Sequence, residues 1–154
     1  MRLLKIDSLA IDAVTNDMVV ILRVEEDNEL LPIWIGNAEA LSIALALAGR
    51  KPPRPMTHDL IANILTGLET KHLRVVISAL VDNTYYALLY MQRGDELIVI
   101  DARPSDSIAL ATRTGASIFL EDDVPTISGD ENDESYKNLE TRLRRVNPEQ
   151  ILGE

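Results

Sequence analysis

Residues 18–49, MVVILRVEEDNELLPIWIGNAEALSIALALAG, contain the change from strand to helix that decides the fold class. Residues 18–24 are an apolar, largely β-branched run, which is typical of a strand covered on both faces. Residues 30–35 predict the next strand, and Pro32 inside it indicates an edge or bulge position. The Ala- and Leu-rich residues 38–49 then predict a helix that is apolar nearly all round and therefore buried.

Outside this stretch, strands and helices follow in clusters rather than in strict alternation. Residues 3–14 predict a first strand whose apolar parity shifts near Asp7, as a bulge would cause. Further strands are predicted over residues 74–81, 85–91, 96–101 and 117–120, and further helices from the N-cap Thr57 to Leu68 and over residues 104–114. Clustered strands with inserted helices favour a single α+β domain with a mixed, mostly antiparallel sheet and three core helices.

The length of 154 residues fits one domain, but its charge is unevenly spread. The formal net charge is −10, yet residues 121–134 hold seven acidic side chains and no basic one, which leaves −3 for the rest. The net charge argues against binding nucleic acid by electrostatics alone. Because most of the negative charge lies in one segment, it does not exclude an anionic substrate elsewhere on the chain.

We predict a domain over residues 1–120, an acidic, solvated linker over residues 121–134, and a C-terminal amphipathic helix and tail over residues 135–154.

The predicted C-terminal helix spans residues 135–146 because Leu139, Leu143 and Val146 fall on one face. A helix of this length is not stable alone, so its apolar stripe should dock on this chain, a second subunit or a partner.

Cysteine is absent, which excludes disulfides, thiolate nucleophiles and Cys-based metal sites and fits a reducing compartment. Residues 1–10 are interrupted by charges and do not form a secretory signal. The longest near-apolar stretch, residues 38–48, is shorter than the ~20 residues that a membrane span needs. We expect a cytoplasmic protein that does not enter a membrane.

Five short strings occur in a recognisable order along these elements. They are LPIWIG at residues 31–36, EA at 39–40, PRPMTHDL at 53–60, YYA at 85–87 and DARPSDSIAL at 101–110. Together they resemble the bifunctional nuclease domain family over about residues 3–120. Tyr85 is a mild departure, since phenylalanine is more usual there. The resemblance implies a roll-like α+β domain, frequent self-association, and a nuclease role on DNA and RNA, but it carries over no catalytic residues.

His58 is the first candidate for such chemistry. It lies at a predicted helix start beside Asp59 and behind a proline-rich connector that contains the basic residues Lys51 and Arg54. Free backbone N–H groups and the helix dipole at such an end favour a bound phosphate, and a neutral imidazole there can act as a general base. The alternative is that Thr57, His58 and Asp59 form a capping turn.

A second candidate is the strand-to-helix junction at residues 101–106. Asp101 and Asp106 can hold Mg²⁺, Arg103 can bind a phosphate, and Ser105 can add a contact. The alternative is an ordinary helix start, with Asp106 in the first turn and Arg103 paired with Asp101.

Glu39 is the third candidate, because it is one of two polar side chains on the otherwise apolar helix over residues 38–49. It is expected either to face solvent in the first turn or to be buried and paired, and in the second case it becomes an acid–base candidate.

Two readings of function follow from these candidates. The resemblance implies a nuclease that hydrolyses phosphodiester bonds of DNA or RNA with the help of a divalent metal such as Mg²⁺. In that reading the expected catalytic residues are Glu39, His58, Asp59 and Asp106, the expected substrate-binding residues are Lys51, Arg54, Arg103 and Ser105, and the expected metal ligands are Asp101 and Asp106. The alternative is a non-catalytic regulatory or protein- or anion-binding module. Clustering of the acidic residues and His58 in one pocket would favour the enzyme, and a homo-oligomer, most simply a dimer, is expected in either case.

Overall fold

The computed structural model describes residues 1–153, which form one mostly antiparallel sheet flanked by helices. The strands are β1 (Arg2–Asp12), β2 (Met18–Val24), β3 (Glu29–Ile35), β4 (Thr70–Val81), β5 (Thr84–Arg93), β6 (Glu96–Ala102), β7 (Ser117–Leu120), β8 (Ile127–Ser128) and β9 (Leu143–Val146). The helices are α1 (Asn37–Leu47), α2 (Thr57–Gly67), α3 (Pro104–Thr114), α4 (Glu134–Arg142) and α5 (Pro148–Ile151). The α+β prediction with a mixed, mostly antiparallel sheet is confirmed.

The sheet has the order β6-β5-β4-β7-β1-β2-β3-β8, with β9 paired to β1 beside this path. β4 and β7 run parallel, and the other pairings within residues 1–153 are antiparallel. The predicted bulge in β1 is present, because the register with β2 shifts between Ile6 and Ser8. Pro32 lies at an edge position, as predicted, because β8 pairs only with Glu29 and Leu30 on the outer side of β3.

Both faces of the sheet are covered at β2, which explains the apolar run in that strand. Val20 and Leu22 belong to the larger core, in which α1 and α3 pack against the sheet. Val19 and Ile21 point the other way, into a smaller core with Leu139 of α4. Successive side chains of a strand point to opposite faces of the sheet. Only a strand that is covered on both faces therefore needs apolar residues at consecutive positions.

The C-terminal region differs from its prediction. The helix expected over residues 135–146 ends at Arg142, and residues 143–146 instead form β9. The reason is an open edge: β7 pairs only with the first residues of β1, so β9 can pair with residues 9–12 and bury Leu143 and Val146. The stretch over residues 121–134 is also less free than a solvated linker, since Val124 is buried and β8 lies within it.

Candidate active site

The ends of three helices meet at a small pocket. Glu39 and Ser42 come from α1, His58 from the first turn of α2, and Asp106 from the first turn of α3. Arg103, which is the N-cap residue of α3, completes the polar wall. The pocket has a volume of about 250 Å³. This is below the usual range for a drug-sized ligand, and apolar side chains, Leu41, Leu45 and Met56 among them, line the pocket beside the polar ones.

His58 is the centre of the pocket's hydrogen-bond network and is only 7% exposed. Its Nδ1 lies 2.6 Å from the Oγ of Ser42, and its Nε2 lies 2.9 Å from Oδ1 of Asp106. Both ring nitrogens are therefore engaged, one by a hydroxyl and one by a carboxylate.

Asp106 is held in its ionised form. Partial burial alone would raise the pKa of Asp106, but hydrogen bonds from Arg103 and His58 outweigh it and place this pKa below its ordinary value. An ionised carboxylate accepts hydrogen bonds and donates none. Asp106 can thus orient the imidazole of His58 through one oxygen while its second oxygen binds Arg103.

Arg103 joins the carboxylates of α1 and α3. Its Nε donates to Oδ2 of Asp106 at 2.8 Å, and its Nη2 donates to Oε1 of Glu39 at 2.6 Å. These acceptors raise the pKa of Arg103, so its charge is permanent. The Arg103 side chain stays 65% exposed, whereas that of Glu39 is 15% exposed. Of its two predicted alternatives, Glu39 is nearer the paired one, since its carboxylate is partly buried and bound to Arg103. Arg103 pairs with Asp106 and Glu39 rather than with Asp101.

Asp59 has a structural role next to the pocket. Its Oδ2 accepts from the backbone N–H of Met56 at 3.0 Å, and its Oδ1 accepts from Nε of Arg113 at 3.0 Å. The hydrogen bond from Met56 lowers the pKa of Asp59 most; burial opposes it, and Arg113 lowers this pKa further, so that it lies below its ordinary value. Asp59 therefore helps to cap the start of α2, as the alternative interpretation predicted, although the N-cap residue is Met56 rather than Thr57.

Two larger clefts adjoin the pocket. One, of about 470 Å³, is lined by Arg50, Lys51 and Asp59 and shares Arg113 with the pocket. The other, of about 490 Å³, is lined by Trp34, Tyr85 and Ser105 and shares Arg103 with the pocket. The pocket thus lies between a cleft with basic residues and a cleft with aromatic residues. Arg54 is exposed on the connector and lines neither cleft.

The predicted metal ligands do not fit a resident metal ion in this arrangement. Asp101 is exposed on β6, and both oxygens of Asp106 already accept hydrogen bonds. The guanidinium of Arg103 bridges Asp106 and Glu39, where a cation would otherwise neutralise them. Within residues 1–153, no group of three or more His, Cys, Asp or Glu side chains is placed to hold a metal ion. A requirement for Mg²⁺ stays a prediction.

Ser42 and Arg113 are the polar pocket residues that the sequence did not single out as site residues. A signal for Ser42 was available, because Glu39 and Ser42 are three residues apart on an apolar helix and so lie on the same face. Polar side chains on one face of a buried helix need a common partner, which α2 and α3 supply here.

Comparison with known proteins shows which family contains this pocket. A model of the bifunctional nuclease domain matches residues 20–131, which include every residue of the pocket. The chain belongs to the bifunctional nuclease domain family. The uncharacterized proteins Rv1829 and MT1877, from the H37Rv and CDC 1551 strains of Mycobacterium tuberculosis, are each 40% identical to it over 134 residues. The aligned region covers 84% of this chain and 80% of each relative.

Membership of the bifunctional nuclease domain family associates the fold with nuclease-related function and with nucleic acid as a ligand class. The pocket lies wholly within the matched region, whereas α4, β9 and α5 follow it. Within residues 1–153 no helix combines the length and the apolar character needed to cross a membrane.

Proposed function

We propose that this chain is a nuclease that hydrolyses phosphodiester bonds of DNA or RNA at the pocket between α1, α2 and α3. The observation that carries the proposal is the convergence of Glu39, His58, Arg103 and Asp106 from three separate segments of the chain. Three of the five acidic and histidine candidates thus line one pocket, Asp59 lies in the adjoining cleft, and Asp101 lies outside both.

The charges of the pocket are compatible with a phosphate group. Arg103 is bound to both Glu39 and Asp106, so the carboxylates are partly neutralised before a ligand arrives. Because most of the Arg103 side chain is exposed, its outer face can bind a phosphate oxygen. Lys51 and Arg113 add positive charge in the adjoining cleft.

The pocket's size restricts how a polymer can bind. About 250 Å³ accommodates the scissile phosphate and little more, so the flanking nucleotides must lie outside the pocket. The two adjoining clefts are the natural positions for them, with backbone phosphates beside Lys51 and a base against Trp34 or Tyr85.

One observation favours the second candidate function, a non-catalytic module that binds an anion. Each charged side chain of the pocket already has a partner of opposite charge or a hydrogen bond, as in a network that only joins helices. Such a module would bind oligonucleotides or inorganic phosphate without cutting a bond.

The experiment that separates the two candidates is a cleavage assay on end-labelled single- and double-stranded DNA and RNA, with EDTA or with Mg²⁺. The nuclease proposal predicts products with the wild-type chain, and at least ~100-fold slower cleavage with His58→Ala and Asp106→Ala. Asp123→Asn is the matched control, because Asp123 is an exposed acidic residue outside the pocket-forming helices and lines neither the pocket nor the two clefts. Binding without products would support the module, and cleavage unaffected by either substitution would refute this site.

We also propose that the chain self-associates through β6. β6 lies at the sheet's edge and pairs only with β5 among the described strands. Its apolar side chains Leu97, Val99 and Ile100 are 57%, 47% and 42% exposed. An edge with free backbone groups and apolar side chains is suited to pairing with a second copy, and a two-fold dimer is the simplest closed form.

A cytoplasmic location, which the absence of cysteine fits, remains a prediction.

A further inference from the structure

The neighbour of His58 on the side opposite Asp106 is a serine hydroxyl. Ser42 Oγ lies 2.6 Å from Nδ1 of His58, and Ser42 lines the same pocket as Arg103. Asp106, His58 and Ser42 therefore form a continuous chain of carboxylate, imidazole and hydroxyl that ends at the pocket.

The direction of each hydrogen bond in this chain follows from Asp106. Its low pKa keeps it ionised, so it must accept, and Nε2 of His58 must carry the hydrogen that points to it. In a neutral imidazole the other nitrogen, Nδ1, then has a lone pair and no hydrogen. With the imidazole neutral, the hydroxyl of Ser42 donates to that lone pair, since the opposite direction would leave two lone pairs facing each other between His58 and Asp106.

This direction changes the role that His58 can have. Its one basic lone pair is already directed at the Ser42 hydroxyl, so the proton it is placed to accept is the serine's rather than that of a free water. A hydroxyl hydrogen-bonded to an imidazole that a carboxylate orients is the arrangement that activates serine nucleophiles. Here the imidazole presents Nδ1 to the serine, which is the reverse of the ring orientation in serine proteases.

We propose that Ser42 is the nucleophile of this site and that phosphodiester cleavage passes through a covalent phosphoserine. The proposal deepens the nuclease function and rests on it for the substrate. Ser42 Oγ attacks phosphorus, and its proton moves to Nδ1 of His58. The bond from phosphorus to the leaving oxygen breaks, and that oxygen takes the proton from Nδ1.

A second step restores the enzyme. Water attacks the phosphorus of the phosphoserine diester and gives a proton to Nδ1 of His58. The bond from phosphorus to Ser42 Oγ breaks, and Oγ takes that proton back. One water is consumed for each bond cut. Asp106 is a positioning residue throughout, whereas Arg103 is placed to bind the charged phosphoryl oxygens.

The most direct test is covalent labelling of the full chain with a fluorophosphonate, whose phosphorus reacts with activated serine and releases fluoride. Peptide mass spectrometry of the wild-type chain should place the adduct on Ser42, and no variant is needed for that result. Labelling should be lost in Ser42→Ala, fall at least ~10-fold in His58→Asn, and persist in Ser117→Ala, an exposed serine that serves as the matched control. No adduct on Ser42, or equal labelling of Ser42→Ala, would overturn the proposal.

Cleavage assays separate this proposal from the nuclease function itself. Ser42→Ala should cut end-labelled oligonucleotides at least ~100-fold more slowly than wild type while keeping a cooperative thermal unfolding transition. Full cleavage by a folded Ser42→Ala would refute the nucleophile and leave the nuclease standing. An adduct on Ser42 without cleavage of any nucleic acid would refute the nuclease and leave the activated serine standing.

Discussion

At the scale of single residues, Asp106 determines the tautomer of His58. Its Oδ1 faces Nε2 of the imidazole, and its Oδ2 binds Arg103, so it orients the imidazole and anchors a cation. An amide in its place has a similar shape, but its NH₂ group can donate to Nε2 and stabilise the wrong tautomer. The site therefore depends on the carboxylate's charge as well as on its position.

Asp106→Asn should abolish most of the activity while leaving the fold intact. Cleavage and fluorophosphonate labelling should each fall at least ~100-fold, because Nδ1 would then carry the hydrogen and could not accept the proton of Ser42. Circular dichroism should show a folded chain. If Asp106→Asn labels and cleaves as fast as the Asp123→Asn control, the deduced tautomer is wrong.

The predictability of the site also differs from residue to residue. Glu39, His58, Arg103 and Asp106 were identifiable because charged or titratable side chains at helix starts are conspicuous in a sequence. Ser42 was less conspicuous: its spacing from Glu39 places it on the polar face of α1, but a serine within an apolar helix is common and its significance comes from the imidazole that α2 places beside it. That contact joins positions sixteen residues apart across a proline-rich connector whose path no local pattern specifies.

At the scale of elements, α2 is attached by polar contacts and by Ala62 and Leu65, which are partly buried against the core. His58 is its one buried residue within the described chain, and Leu60, Ile64 and Leu68 are about half exposed. The sequence prediction of an apolar stripe was correct, but that stripe faces largely outward. Periodicity predicts a helix with two faces, and it does not reveal which face the rest of the chain covers.

Arg113→Met should loosen α2, because it removes the partner of Asp59 while keeping most of the side chain's volume. Arg113 is 12% exposed in its side chain, so the contact is well shielded. We expect a loss of about 1.5–3 kcal/mol in the free energy of unfolding, in line with a hydrogen bond to a charged group. Hydrogen exchange should quicken in α2 and stay unchanged in β5. Equal acceleration in both elements would contradict a local role.

The attachment of α4 and β9 depends on a buried carboxylate in β1. Asp12 is fully buried and accepts from Trp34 Nε1 at 2.9 Å and from Arg142 Nε at 2.8 Å. Burial alone would raise the pKa of Asp12, but Trp34, two backbone N–H groups and Arg142 together hold it far below its ordinary value. This network holds Arg142, the last residue of α4, against β1 at the point where the chain continues as β9.

Asp12→Asn should destabilise the chain in a pH-dependent way. Because the pKa is lowered by folding, the ionised group stabilises the native state above its unfolded pKa of about 3.9, and that stabilisation is lost as the pH falls further. Urea unfolding at pH 7, 5, 4 and 3 should show a difference from wild type that is constant down to about pH 4 and shrinks below it. A difference that does not change with pH would contradict the assignment, and Asp123→Asn should show none.

At the scale of the whole molecule, local patterns predicted the elements better than their arrangement. The bounds of β2, α3 and β7 agree with the sequence analysis, because each is a short apolar or amphipathic run between turn residues. The sheet order was not predictable in this way. β7 lies between β4 and β1, and β9 returns to β1 from the end of the chain, so both depend on contacts between distant segments.

Self-association through β6 is testable at this scale. Val99→Lys should halve the mass measured by light scattering during size-exclusion chromatography, because it places a charge on the proposed contact. Leu60→Lys is the matched control, since Leu60 is similarly exposed but lies on α2. A wild-type chain that is monomeric, or a dimer that Val99→Lys does not weaken, would contradict the proposed β6 interface.

The central claim is that the pocket between the three helices cuts phosphodiester bonds, and its most direct test is the ratio of two cleavage rates. Initial rates on end-labelled single-stranded DNA and RNA at pH 7 are compared for His58→Asn and Asp123→Asn, both shown by thermal unfolding to be folded. We predict that Asp123→Asn matches wild type and that His58→Asn is at least ~100-fold slower. Equal rates for the two variants would contradict the claim.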